Sequence, residues 1–213
     1  MTYLGLLLEL AMAIPAAAMA LLPARQHLRR PLPVVCGVWA LCLAPLVLGG
    51  PFVCDWLGLK PTVAMGFAAV VLFAPYALVV DLAPGKRSFC YLCAVMLECA
   101  SYMYAVYVTA PWELGNDWST SLPATGAATL VVSLVTVVVF ARTLVVKLPY
   151  LFGRQTFDGA WGRLSLAPLA LSALFRWMTP VSATVVMTGR VRPIALVLLL
   201  VVPLTIWTLF HIA

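Results

Sequence analysis

TVAMGFAAVVLFAPYALVV, residues 62–80, runs from Thr62 to Val80 without one charged side chain. At 1.5 Å per residue, a helix of this length spans about the 30 Å hydrocarbon core of a bilayer. The nearest charges flank it, with Lys60 before and Asp81, Lys86 and Arg87 after. A barrel strand would alternate apolar and polar residues over about ten positions; this stretch is apolar throughout. It reads as a transmembrane helix.

The rest of the chain repeats the pattern. Of 213 residues, 64% are hydrophobic and 9% are charged, and the mean hydropathy is +1.07. An ordinary soluble domain is roughly 25% charged, and folded surfaces in water need more polar cover than this chain can provide. In lipid the backbone must satisfy its own hydrogen bonds, which leaves helices or closed barrels. Seven apolar runs are read, roughly at 3–22, 32–53, 62–80, 90–110, 126–146, 164–186 and 193–213. The expected fold is an all-α polytopic bundle, with residues 1–213 forming one integral membrane domain. No internal repeat, low-complexity tract or soluble domain interrupts it.

The basic residues set the expected orientation. The first, third and fifth connections carry Arg25, Arg29 and Arg30; Lys86 and Arg87; and Lys147, Arg154 and Arg163. The second has Lys60, the fourth has none, and the sixth has Arg190 and Arg192. Short loops rich in Lys and Arg stay in the cytoplasm, so the odd loops face inward, the N-terminus lies outside and the C-terminus lies in the cytoplasm. The first run is not read as a cleavable signal, because its basic cluster follows the apolar stretch. Trp56, Trp112 and Trp118 fall at expected outer boundaries and Trp161 at an inner one, as interfacial anchors. Pro15, Pro45, Pro75, Pro168, Pro180 and Pro203 fall within runs and predict kinks.

Three ionisable residues fall well inside the runs: Glu9, Glu98 and Arg176. A charge at mid-bilayer costs about 2.5–3.5 kcal/mol even on the lenient insertion scale, so each should face a partner or a wet cavity. Counting along the helices puts them about 10, 18 and 15 Å below the outer edge, respectively. Arg176 is therefore expected to pair with Glu98, Glu9 or both, linking the first, fourth and sixth spans. The cluster reads either as a static clamp or as a ligand-sensitive polar switch.

Other chemistry is thin. Cys90 and Cys93 form a C-x-x-C, the spacing of redox thiols, and resemble the pair of membrane thiol oxidoreductases of the vitamin K epoxide reductase kind. The charge map puts them at the cytoplasmic end, whereas those enzymes act near the oxidising side; small buried apolar residues are the plainer reading. His27 with Cys36 is the crude candidate pair for a membrane peptidase. No histidine is spaced with the cysteines as a zinc ligand, and no metal or cofactor is expected. No P-loop, H-E-x-x-H or G-x-S-x-G is present, so the reading leans away from an enzyme. The net charge of +6 sits in short loops and offers no basic, aromatic-laced face for nucleic acid.

The stretch Lys147-Leu148-Pro149-Tyr150-Leu151-Phe152-Gly153-Arg154-Gln155, followed by Trp161 and Pro168, is similar to the membrane region of bacterial sensor histidine kinases with a GHKL-type ATPase tail. With the general span pattern, the resemblance covers about half the chain loosely. The family's phospho-accepting histidine, Asn box and ATP loops are missing here, so no catalytic residue carries over. The resemblance implies a sensory module in a bacterial plasma membrane, acting with a cytoplasmic signalling partner, as a homodimer, or ahead of a kinase half beyond Ala213.

The leading expectation is thus a multi-pass sensor. A peptide or lipophilic signal would meet the outer loops, including Asp55, Trp56, Trp112, Glu113, Asp117 and Trp118, or a gap between kinked spans. The last span would carry a packing change inward. The first alternative is a small transporter or its substrate-binding subunit, with Arg176 holding an anion. The second is a thiol oxidoreductase or peptidase.

Overall fold

The computed structural model describes residues 3–109, 123–153 and 159–178, together with Val197 and Leu200. The described residues are helical apart from short connections and one isolated bridge. The elements are α1 (Tyr3–Ala11), α2 (Ala13–Ala24), α3 (Leu32–Ala44), α4 (Gly50–Leu57), α5 (Pro61–Val79), α6 (Pro84–Thr109), α7 (Pro123–Arg142), α8 (Leu148–Phe152), α9 (Trp161–Leu164) and α10 (Leu166–Met178). Proline opens α5, α6 and α7, where its missing N–H costs nothing and its fixed φ suits the first turn.

Several of these segments join end to end. Five continuous helices among the described residues are long and apolar enough to cross a membrane: Tyr3–His27, Leu32–Leu57, Pro61–Val79, Pro84–Val106 and Thr125–Tyr150. They correspond to the first five apolar runs. The sixth run is represented by α10. The remainder of that run and the seventh run lie outside the described residues, apart from the helical Val197 and Leu200.

The prolines do not all act as expected. Pro45 opens a π-helical stretch, Pro45–Gly49, that joins α3 to α4 without ending the span; a wider turn accommodates a residue that cannot donate to the helix ladder. α5 continues across Pro75. Pro168 falls in the first turn of α10, where its N–H would be orphaned anyway. Pro15 does act as expected: it cannot bond the Ala11 carbonyl and its ring crowds that group, and the break in the first span lies next to it at Met12, whose N–H turns back to the Glu9 carbonyl at 3.3 Å. Pro180 and Pro203 lie outside the described residues.

α4 stops at Gly58, whose φ of 62° is left-handed, a conformation open to glycine and costly for other residues. Gly58 N–H then bonds the Asp55 carbonyl and Leu59 N–H the Cys54 carbonyl. This double closure satisfies the helix end and turns the chain straight into α5.

The first, third and fifth connections meet at one end of the bundle. Leu28 and Val80 form an antiparallel bridge, flanked by Arg29 N–H to the Val79 carbonyl and Asp81 N–H to the His27 carbonyl. An exposed ion pair, Arg29 to Asp81 at 3.2 Å, sits on top. The Lys86 ammonium donates to the Phe152 carbonyl at 2.6 Å, and the Ser165 hydroxyl to the Gly85 carbonyl at 3.4 Å. Arg87 donates to the Ala77 carbonyl in the last turn of α5, where an orphan carbonyl and the helix dipole both favour a cation. Trp161 is 4% exposed and packs edge-on against Phe89 and Phe152. It is a core residue at the bundle's end, which corrects its reading as an anchor facing the interface.

The core lies along the first span and α6, which are mostly buried; α3, α4, α5 and α7 leave broad apolar faces exposed. α6 packs against α2, α7 and α10, and α1 against α7. Helices that meet in lipid gain from close backbone approach through small residues. Gly126 of α7 shows this: a Cβ there would lie 2.8 Å from the Gly5 carbonyl oxygen of α1.

Candidate functional site

Glu9 lies in the last turn of α1, three residues before the break at Met12. Its side chain is buried, on the segment that Gly126 holds against α7. The local break leaves space beside it, and Glu9 and Met12 both line the cavity that results.

Arg176 reaches that cavity from α10. Its Nη1 donates to the backbone carbonyl of Thr62, in the first turn of α5. A helical side chain covers the turn N-terminal to its own Cα, so the residue four positions after Thr62 would normally shield that carbonyl. That residue is Gly66, and a Cβ on it would lie 3.0 Å from Arg176 Nη1. The guanidinium occupies the place where a side chain at 66 would stand.

Glu98 comes from the middle of α6 and is 4% exposed. Its Oε1 accepts from the Ser133 hydroxyl of α7 at 3.3 Å, while its buried Oε2 has no hydrogen-bond partner within the protein. One turn on, Ser101 and Thr136 share a hydrogen bond of 2.8 Å between the same two helices. The α6–α7 contact is thus polar beside Glu98, as hydroxyls between membrane helices allow.

Glu9, Glu98 and Arg176 line one cavity, together with Thr62, Met65 and Tyr102. Within it Glu98 accepts its hydrogen bond from Ser133 and not from Arg176. The cavity leaves about 20 Å³ for the centres of water-sized molecules, room for one or two waters and not for a peptide. A second cavity shares Met65, Glu98 and Arg176 with the first and continues along α2 and α5 to Trp39 and Tyr91. Two carboxyls face one guanidinium here. With all three ionised the cluster is one positive charge short of neutral, so its chemistry favours a proton or a small cation over an additional anion.

The other singled-out residues lie elsewhere. Asp55 and Trp56 are exposed at the end of α4, Trp56 by 83%. Trp112, Glu113, Asp117 and Trp118 lie outside the described residues. Cys90 is buried, with its thiol 3.5 Å from the Ala20 carbonyl, and Cys93 is half-buried one turn on; neither is in a disulfide. Among the described residues no group of three or more His, Cys, Asp or Glu gathers as a metal site. Thr62, Gly66 and Trp39 were not singled out from the sequence. The nearest signal was a glycine inside an apolar run at 66, which marks close approach without naming what approaches.

Comparison with protein families, with characterised proteins and with solved structures finds no match to this chain.

Proposed function

We propose that the chain is a sensory module of a bacterial plasma membrane, with seven spans, an outside N-terminus and a cytoplasmic C-terminus. The meeting of the first, third and fifth connections, which together hold eight of the basic residues, at one end of the bundle supports that orientation, since loops rich in Lys and Arg stay inside. One observation carries the functional reading: Arg176 of α10 is fastened to α5 through the Thr62 carbonyl, inside a cavity shared with Glu9 and Glu98. A signal that loosens this bond changes the packing of α10 against α5, a change that the last span would carry inward.

The magnitude suits a switch. A hydrogen bond to a charged group contributes about 1.5–3 kcal/mol, which matches the 1–3 kcal/mol of a typical coupling between sites. A signal works here only if it prefers one of two packings of α10. The similarity of the segment from Lys147 to Pro168 to sensor kinase membrane regions agrees with a cytoplasmic signalling partner, or a second copy, as the receiver.

The test is a distance between α5 and α10. Genetically encoded spin labels at the lipid-facing positions Val71 and Leu169, in the full chain in nanodiscs, report it by pulsed electron paramagnetic resonance. Arg176→Gln and Gly66→Leu should each shift the distance distribution relative to the parent. Distributions that coincide in all three would overturn the latch.

The two cavities share Met65, Glu98 and Arg176 as wall residues, which favours a second reading, a small transporter. Ion or solute flux in liposomes carrying the parent chain, and its loss in Arg176→Gln, would select that reading over the sensor.

A further inference from the structure

We propose that the alanine-lined cavity between α2, α3, α5 and α6 holds a short file of water that carries protons to and from the Glu98 carboxyl. The cavity walls are Ala13, Ala17 and Ala20 of α2, Ala68 and Ala69 of α5, and Ala94 of α6. Their side chains stop at one methyl, which leaves about 40 Å³ for the centres of water-sized molecules. A single water needs roughly 10–15 Å³ by that measure, so the cavity takes about three.

Two buried polar atoms belong to residues that line this space. Trp39 is 4% exposed, and its Nε1–H has no acceptor within the protein; Glu98 Oε2 has no donor. Buried polar groups are otherwise almost always satisfied. The chemistry of the pair selects the occupant. An ammonium-like cation suits the carboxyl and offers nothing to an indole N–H. An anion suits the indole and is repelled by the carboxyl. Water accepts from Trp39 and donates to Glu98.

The file ends beside the charged cluster, because Glu98 and Arg176 line both cavities. The groups that face Glu98 are Arg176 from α10, Glu9 from α1, Ser133 from α7, and Tyr91, Cys99 and Tyr102 from its own helix. No titratable side chain of α2, α3 or α5 lines either cavity. The transfer is simple: a hydronium in the file gives its proton to Glu98 Oε2 and remains as water, and the reverse step returns it. Uptake of that proton removes the cluster's excess negative charge and so weakens the field holding Arg176. The inference rests on the sensory reading above in this respect, and names the proton as the signal.

The test uses the full chain in lipid with 13C-labelled glutamate. The chain has three glutamates, Glu9, Glu98 and Glu113, and Glu98→Gln assigns the signal. In water-edited solid-state NMR the Glu98 carboxyl should receive water magnetisation rapidly, and several-fold more slowly in Ala68→Leu, which fills the cavity. Trp39→Phe, which removes the indole N–H while keeping an aromatic ring, should also slow it and serves if Ala68→Leu does not fold. A Glu98 signal that builds up no faster than interior methyl groups, or equally fast in the parent and the folded variants, overturns the proposal. The outcomes separate the two readings: a dry Glu98 beside a mobile α10 sinks the water file alone, and a hydrated Glu98 beside an immobile α10 sinks the sensor alone.

Discussion

Gly66 and Arg176 compete for one place: a Cβ on Gly66 would lie 3.0 Å from the Nη1 that donates to the Thr62 carbonyl. The size of the substituent at 66 therefore decides the effect. Alanine asks the flexible guanidinium to move only slightly and recovers about 1 kcal/mol of helix propensity, so Gly66→Ala should leave stability nearly unchanged. Gly66→Leu fills the guanidinium's place. Overpacking costs about 1–3 kcal/mol, and loss of the charged hydrogen bond adds a similar amount. Thermal unfolding in detergent should separate the two variants clearly. A leucine variant as stable as the alanine variant would place Arg176 elsewhere.

Exchange of the charges at 98 and 176 should fail to rescue either single change. Glu98 is held by Ser133 and Arg176 by a backbone carbonyl. A glutamate at 176 would turn an acceptor towards the Thr62 carbonyl, also an acceptor. Arg176→Glu with Glu98→Arg should thus be no more stable than the worse single variant. Ser133→Ala should cost about 1–3 kcal/mol through the carboxyl oxygen it leaves unpaired. Recovery of the parent melting temperature by the exchange would show that the two side chains interact as a pair.

The bundle was legible in the sequence because the bilayer imposes so coarse a rule. Apolar runs of span length and three misplaced charges are visible without any knowledge of contacts, and five of the runs stand as membrane-length helices. The partners of the charges were not legible. Arg176 bonds a backbone carbonyl, which every residue possesses, and its place is marked by the lack of a side chain at Gly66. Ser133 has the same composition signal as Ser172, which bonds its own helix backbone. Trp161 reads as an interfacial residue because boundary position and aromatic character are all the sequence shows. Its burial depends on α9 folding back over Phe89 and Phe152, a tertiary event.

Gly126 and Gly37 form a contrasting pair. A Cβ on Gly126 would meet the Gly5 carbonyl oxygen and the Leu8 Cβ, both at 2.8 Å. Neither can yield without moving α1, so Gly126→Ala should destabilise by about 1–3 kcal/mol despite the better helix former. It should also disturb Glu9, whose backbone nitrogen lies 3.3 Å from the same point. Gly37 has nothing within 4 Å, and Gly37→Ala should be neutral or stabilising by up to about 1 kcal/mol. Melting temperatures of the two variants, side by side, check both signs; equal effects would mean that α1 and α7 do not touch through Gly126.

Trp161 and Trp56 make the last contrast, between an aromatic residue that fastens the fold and one that faces outward. Trp161 is buried, with ring centroids 5.2 Å from Phe89 and 5.3 Å from Phe152. Its Cβ lies 3.0 Å from where a Cβ on Gly85 would stand, so it closes the gap between the third and fifth connections. Trp161→Ala should cost about 3–5 kcal/mol, as for other large core truncations. Trp161→Phe should recover part of that by keeping edge-on aromatic contacts, each contributing about 0.5–1.5 kcal/mol. Trp56 is 83% exposed, and Trp56→Ala should change stability by less than about 0.5 kcal/mol in detergent. The measurement is unfolding monitored by protease protection of the segment from Lys147 to Arg163. If Trp161 merely anchors the protein at the interface, its alanine variant will keep that segment protected in detergent, and the packed aromatic cluster will be the wrong explanation for its position.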